Sequence, residues 1–303
     1  MTELTNLQQK MADFSPACEL KFNEPMARHT SFRIGGNAEV MAFPKSREAL
    51  AQILRLSAEC DLRPAILGAG TNVLAPDAGM KGIVICLKDA LDGIERLDDH
   101  HIRVMAGVTM SRAAVFAANL GLSGMEFAHG IPGTVGGGVY MNAGAYGGEI
   151  KDIAVSVETM DFSGNIRVLT NEEMGFSYRH SVLEDNDGIV LSATFRLEPA
   201  DPEAVKASMR QLQAKRSASQ PLELPSAGSA FKRPAQGYAA ALIDQAGLKG
   251  FQVGGAAIST KHAGFAVNLG GATASDVQAL LRQVSDIVYE KTGIRLEPEV
   301  RIW

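Results

Sequence analysis

The sequence predicts an α+β protein whose character changes near Pro199. Three observations carry that expectation. Two glycine-rich loops, Gly68–Leu74 and Gly130–Ile150, follow apolar runs. Between Ala154 and Leu197 apolar and polar residues alternate as they do in strands. From Ser275 onward, Val277, Leu280, Leu281, Val284, Ile287 and Val288 form one helical stripe that stops at Gly293. A chain of 303 residues is long enough for two domains or three small ones.

Residues 2–14 are expected to form a short amphipathic helix with Leu4, Leu7 and Met11 on one face. The turn-rich segment His29–Gly36 leads to a strand near Ala38–Phe43. Ser46 caps a helix that runs to about Cys60. Strands are expected at Pro64–Leu67, Gly82–Leu87 and Ile102–Ala106, the last closing a hairpin around Asp98-Asp99. A helix follows over Ser111–Leu120. Ser163-Gly164-Asn165 joins the strands Ala154–Phe162 and Ile166–Thr170 as a hairpin, and Gly188–Leu197 is a further strand. Asp201-Pro202 reads as an N-cap with proline at the first helical position, opening a helix to about Ser217. Beyond it come a helix near Tyr238–Ala246, strands near Phe251–Ser259 and Gly264–Leu269, and a terminal strand Ile294–Trp303.

Eight of the 21 residues from Gly130 to Ile150 are glycine. Glycine lowers the stability of helix and strand interiors, so this stretch is expected to be a loop. Ile131, Pro132, Val135, Val139, Tyr140 and Met141 are interleaved, which pins it against apolar surface and excludes a flexible linker. The remaining reason for such density is close approach of bare backbone N–H groups to a large, flat, anionic ligand, as a nucleotide cofactor is. Gly136 and Gly137 in particular are expected to face it with almost no room beyond the backbone. Neither loop is a P-loop, since no Gly-Lys-Ser/Thr occurs in frame. Neither carries the G-x-G-x-x-G fingerprint: Met141 and Val73 stand where the third glycine belongs.

Composition excludes other classes. A net charge of −5 with no basic stripe argues against nucleic acid. No apolar run approaches the roughly 18 residues of a membrane span, and the N-terminus has no signal-peptide core. Cys18, Cys60 and Cys86 have no metal-ligand spacing, and their odd number suits a reducing compartment. A cytoplasmic protein without metal is expected; the oligomeric state stays open, with a monomer preferred. No G-x-S-x-G elbow supports a serine hydrolase. Three polar segments stand out: Phe176–Ser181 with an arginine between aromatics, Ser226–Arg233 between prolines, and Leu296–Arg301 with alternating charge.

In order and spacing these motifs resemble the UDP-N-acetylenolpyruvoylglucosamine reductase family from about His29 to Arg301. Thr30–Gly36 is similar to the family's opening motif, Gly68–Asn72 to its pyrophosphate loop, and Gly130–Glu149 to its second FAD segment. The resemblance implies a vanillyl-alcohol-oxidase-type (PCMH-type) FAD-binding domain of two α+β lobes over residues 29–199. A helical lead-in would occupy 1–28 and an α+β substrate domain 200–303. It implies cofactor contacts at Gly68, Ala69, Gly70, Thr71, Asn72, Ile131, Gly133, Thr134, Gly136, Gly137, Asn142, Gly144 and Ile189. The catalytic arginine falls on Arg179, the proton-donating serine on Ser229 and the catalytic glutamate on Glu299, with Lys232 and Arg233 binding substrate. No tyrosine lies between Tyr178 and Tyr238, so the likeness is to the shorter subclass, which lacks a tyrosine-bearing insertion.

The implied reaction uses NADPH to reduce non-covalent FAD. Hydride then passes from N5 to C3 of an enolpyruvyl ether, and a proton passes from Ser229 to C2. Arg179 would offset the charge that develops on the carboxylate, and Lys232 would support the serine alkoxide. Glu299 would either be protonated or orient a water. Lys215 and Arg216 are further candidates for the diphosphate. Two alternatives stand beside this: a sugar- or alcohol-oxidising flavoenzyme of the same fold, and a nucleotide-binding protein without turnover. The first is weakened by the lack of a histidine in residues 62–81 to tether the flavin.

Overall fold

The structure is a computed structural model, and it describes residues 5–13 and 18–303. The described residues divide into two units. One comprises the chain up to Phe22 with Val40–Ala69 and Gly82–Lys215; the other comprises Asn23–Glu39, Gly70–Lys81 and Arg216–Trp303.

In the first unit a five-stranded antiparallel sheet has the order Ile166–Thr170, Ala154–Met160, Ile189–Arg196, His101–Met105, Ile94–Arg96. The hairpin at Asp98 forms because its carboxylate accepts the N–H groups of His100 and His101, both at 2.8 Å. A four-stranded sheet is ordered Cys18–Pro25, Asn37–Pro44, Met80–Cys86, Ala65–Leu67, with its last pair parallel. The helix Arg47–Glu59 begins where Ser46 Oγ accepts the Ala49 N–H at 3.1 Å, and it buries Leu50, Ile53 and Leu54. Met110–Asn119 is capped by Thr109 in the same way. The N-terminal helix spans Asn6–Asp13 and buries Met11; Leu4 and Phe14 of the expected helix lie outside the described residues.

The expectation of a continuous loop over Gly130–Ile150 needs correction: Val135–Tyr140 is a short helix. Packing overrides propensity here. A methyl group on Gly136 would lie 2.9 Å from Ala106 Cβ, and one on Gly138 would lie 2.8 Å from the Met110 sulfur. Only glycines let this helix sit so close to the sheet and to the preceding helix.

In the second unit an antiparallel sheet has the order Ser226–Ser229, Phe265–Asn268, Ala256–Ile258, Gln252–Val253. The helices Ala239–Gln245 and Ala274–Thr292 share a core with it, built on Ile243, Val277, Leu280, Val284, Val288 and Ile258. A capping box between Thr273 and Asp276 starts the long helix, and Gly293 ends it in the left-handed conformation at φ 71°. The expected terminal strand shrinks to Arg301–Ile302, which pairs in parallel with Val73–Leu74. Upstream of it the backbone bonds to other partners: Glu297 O accepts from Lys232 N and Glu299 N donates to Ala230 O. Pro298 has no N–H with which to extend a ladder.

Candidate functional site

In the first unit Gly68 and Ala69 leave the strand Ala65–Leu67 at the cap of the glycine-rich helix. A methyl group on Gly68 would lie 2.6 Å from Thr134 Oγ1, and one on Gly137 would lie 3.6 Å from the same oxygen. Thr134, only 1% exposed, uses that oxygen to accept the Gly137 N–H at 3.3 Å. Gly68, Thr134 and Gly137 therefore form a cradle without side-chain bulk. The Gly68 carbonyl accepts the Cys86 thiol at 3.7 Å, and burial pushes that thiol above its usual pKa.

The expectation that Gly136 and Gly137 both face a ligand with almost no room is corrected in part. Gly136 is crowded by Ala106 of the protein itself, and its N–H donates to the Ala106 carbonyl at 2.9 Å. The Val135 N–H is likewise taken by Val108 O. Gly137 is exposed and open. Gly133 has φ 134°, and its carbonyl accepts the Met110 N–H. Ile131 is half-buried, whereas Ile189 is 2% exposed in the core with Met160 and Leu191.

Just ahead of this segment, His129 Nδ1 is buried with no hydrogen-bond partner among the described residues. Together with the cradle it fits a flat cofactor that brings its own polar atoms. Among the described residues no group of three or more His, Cys, Asp or Glu could hold a metal ion.

Arg179 sits in a two-residue turn closed by Ser177 N to His180 O at 3.1 Å and His180 N to Ser177 O at 3.2 Å. Its φ of 56° is left-handed, a conformation that a non-glycine residue holds only when its surroundings over-determine it. Its guanidinium lies 5.0 Å from the Tyr178 ring centroid and donates to Gly144 O at 3.4 Å. Asn142 is fully buried behind this turn and donates to Ser177 O at 3.0 Å.

In the second unit several motifs converge on one stretch of backbone. Ser31 N donates to Gly70 O at 3.0 Å, and Ser31 Oγ donates to Ser226 O at 2.5 Å. Gly70 must be glycine: its φ is 62°, and a Cβ would lie 2.1 Å from His29 O. Asn72 Nδ2 donates to Glu299 O at 3.2 Å, and Glu299 N donates to Ala230 O at 3.0 Å. Thr71 is half-buried beside Asn72. Ser229 is exposed at the end of a β-bulge where Gly228 has φ 75°, the geometry by which a strand redirects a side chain. Lys232 forms an ion pair with Glu297, and the exposed Arg233 lies 4.2 Å from the Tyr238 ring centroid.

Asn72, through its side-chain amide, and Ala230, next to Ser229, are thus both bonded to the backbone of Glu299. Gly68, Thr134 and Gly137 form one further group, and Asn142, Gly144 and Arg179 another. His129 was missed by sequence reasoning, because nothing in a lone histidine shows that its partner is absent.

A family model described as the C-terminal domain of UDP-N-acetylenolpyruvoylglucosamine reductase matches residues 220–303, and an FAD-binding-domain model matches residues 38–170. The UDP-N-acetylenolpyruvoylglucosamine reductase of Caldanaerobacter subterraneus subsp. tengcongensis is 45% identical over 296 residues, covering 98% of this chain and 97% of that protein. The reductase of Lactobacillus acidophilus is 44% identical over 300 residues, covering 99% and 98%. The crystal structure of the UDP-N-acetylenolpyruvylglucosamine reductase from Thermus caldophilus superposes with a TM-score of 0.80 at 36% identity, covering 94% of this chain and 98% of that one.

Proposed function

The chain belongs to the UDP-N-acetylenolpyruvoylglucosamine reductase family, and on that premise we propose how its residues carry the reaction. The enzyme uses NADPH and non-covalently bound FAD to convert UDP-N-acetylglucosamine enolpyruvate to UDP-N-acetylmuramate. One hydride and one proton add across the enolpyruvyl double bond. Bound FAD supplies the hydride relay; the protein holds it, offsets charge and moves the proton.

Gly68, Thr134 and Gly137 offer FAD a surface that it can approach closely. Arg179 sits by the substrate carboxylate and offsets the negative charge that grows there as C3 gains hydride, a role for a rigid, permanently charged fork. Ser229 donates the proton to C2. Its exposure at a bulge leaves the hydroxyl accessible to a ligand. Lys232 and Arg233 bind the diphosphate end. Glu299, on the backbone segment bonded to Ala230, is either protonated or orients a water.

The observation that supports this reading is that the Asn72 side-chain amide donates to Glu299 O while Glu299 N donates to Ala230 O, which links two distant segments to the backbone next to Ser229. Among the described residues no helix is long and apolar enough to cross a membrane.

Stopped-flow absorbance of the flavin tests the reading on the two half-reactions. Ser229→Ala should be reduced by NADPH at close to the wild-type rate. Its reoxidation by the enolpyruvyl substrate should be slower by about 10²–10⁴-fold, the usual loss on removing a positioned general acid. Equal slowing of both halves would instead make Ser229 a structural residue. Rapid reoxidation by oxygen after reduction by a sugar would favour an oxidase.

A further inference from the structure

We propose that Asn142 is a positioning residue for Arg179, acting through the turn that carries it. The proposal rests on the reading of Arg179 given above. One bridge, Ser177 to His180, closes the turn around Tyr178 and a left-handed Arg179. Residues 140–144 help to fix it. Ser181 Oγ donates to Tyr140 O at 2.8 Å, Asn142 Nδ2 to Ser177 O at 3.0 Å, and Arg179 Nη2 to Gly144 O at 3.4 Å.

Asn142 is the centre of this clamp. It is fully buried with φ 42°, a conformation that asparagine tolerates better than most residues. Both of its amide hydrogens are used, one on Ser177 O and one on Glu149 Oε2 at 2.9 Å. Its Oδ1 accepts the Lys151 N–H at 2.9 Å. Glu149 is itself held by Lys151 at 2.6 Å and by a capping box with Asp152. A chain of bonds thus runs from the start of the helix Ile150–Ile153, through Asn142, to the carbonyl two residues before Arg179. With both amide hydrogens inside the protein, Asn142 has no donor left for the cofactor, and its side chain is a strut. Arginine placement then depends on the same segment that ends the glycine-rich helix.

The test uses holoenzyme carrying Asn142→Gly, which accepts the positive φ, and Asn142→Asp, which keeps the shape but loses both donors. Reoxidation by the enolpyruvyl substrate should slow by about ten- to a hundredfold in each, the scale of a misplaced catalytic group. Amide hydrogen exchange at Ser177 and His180 should rise by about tenfold, with the helix Arg47–Glu59 unchanged. In an Arg179→Ala background, Asn142→Gly should add less than about a twofold further loss, because a residue acting through another is non-additive with it.

A full additive loss in the double variant, or unchanged exchange at both amides, overturns the proposal. Slow reoxidation in Arg179→Ala with normal reoxidation in both Asn142 variants overturns the positioning role and spares the Arg179 reading. Normal reoxidation in Arg179→Ala overturns that reading and the positioning role with it.

Discussion

A methyl group on Gly68 would lie 2.6 Å from Thr134 Oγ1, so the end of one strand touches the capping hydroxyl of the glycine-rich helix with nothing between them. Thr134 cannot move away freely, because the same oxygen accepts the Gly137 N–H.

Gly68→Ala should therefore force Thr134 off its cap. The expected cost to the apoprotein is about 0.5–2 kcal/mol, the range for a lost N-cap, seen as a lower thermal midpoint. FAD retained on gel filtration should fall as well, since the added methyl enters the cradle. An apoprotein as stable as wild type would show that Thr134 yields without losing its bond.

Gly136 and Gly137 should part company when each becomes alanine. Gly136→Ala drives a methyl against Ala106 at 2.9 Å and should destabilise the apoprotein by about 1–3 kcal/mol, as overpacking does. Gly137 is exposed and helical, so alanine there should stabilise the apoprotein by roughly 0.5–1 kcal/mol. The same change should nonetheless weaken FAD binding in a fluorescence titration. Unchanged FAD affinity in Gly137→Ala would remove close approach as the reason for that glycine.

Asp77 caps the long helix from another segment. Its carboxylate accepts Ala274 N at 2.7 Å, Ser275 N at 3.0 Å and Ser275 Oγ at 2.9 Å. Burial pushes its pKa up, but these bonds outweigh burial and leave it below the ordinary carboxylate value. A carboxyl depressed in the folded state contributes stability above its unfolded pKa, about 3.9, and loses it as pH falls through the lower folded value. Asp77→Ala should accordingly lower the thermal midpoint at pH 7, by a loss of about 0.5–2 kcal/mol. The gap from wild type should narrow below about pH 4. A gap of the same size at pH 7 and at acid pH would show that the charge is not what holds the helix.

The long helix was legible because its apolar stripe and its glycine stop lie within one run of residues, whereas its capping by Asp77 from a distant segment was not. Ser46 and the helix it caps were legible for the same reason. The helix at Val135–Tyr140 was not, since its glycines answer to Ala106 and Met110, which local propensity does not contain. Asn142 lay within a recognisable motif and was read as a cofactor contact. Its hydrogen bonds to Ser177, Glu149 and Lys151, on which the proposed strut role rests, join residues that sequence does not show to be neighbours.

Read alone, the residues determined the α+β class and most helices and strands, because amphipathic period, caps and turn residues act over a few positions. Only the tertiary structure decided that residues 23–39 and 70–81 join the C-terminal residues in one unit. It decided too that Val73–Leu74 pairs with Arg301–Ile302, and that Asn72 and Ala230 share Glu299 between them. Apart from the Asn72 side-chain amide on Glu299 O, those pairings are between backbone groups, which are the same in every residue. The side chains therefore cannot announce which distant partner each N–H and carbonyl will find.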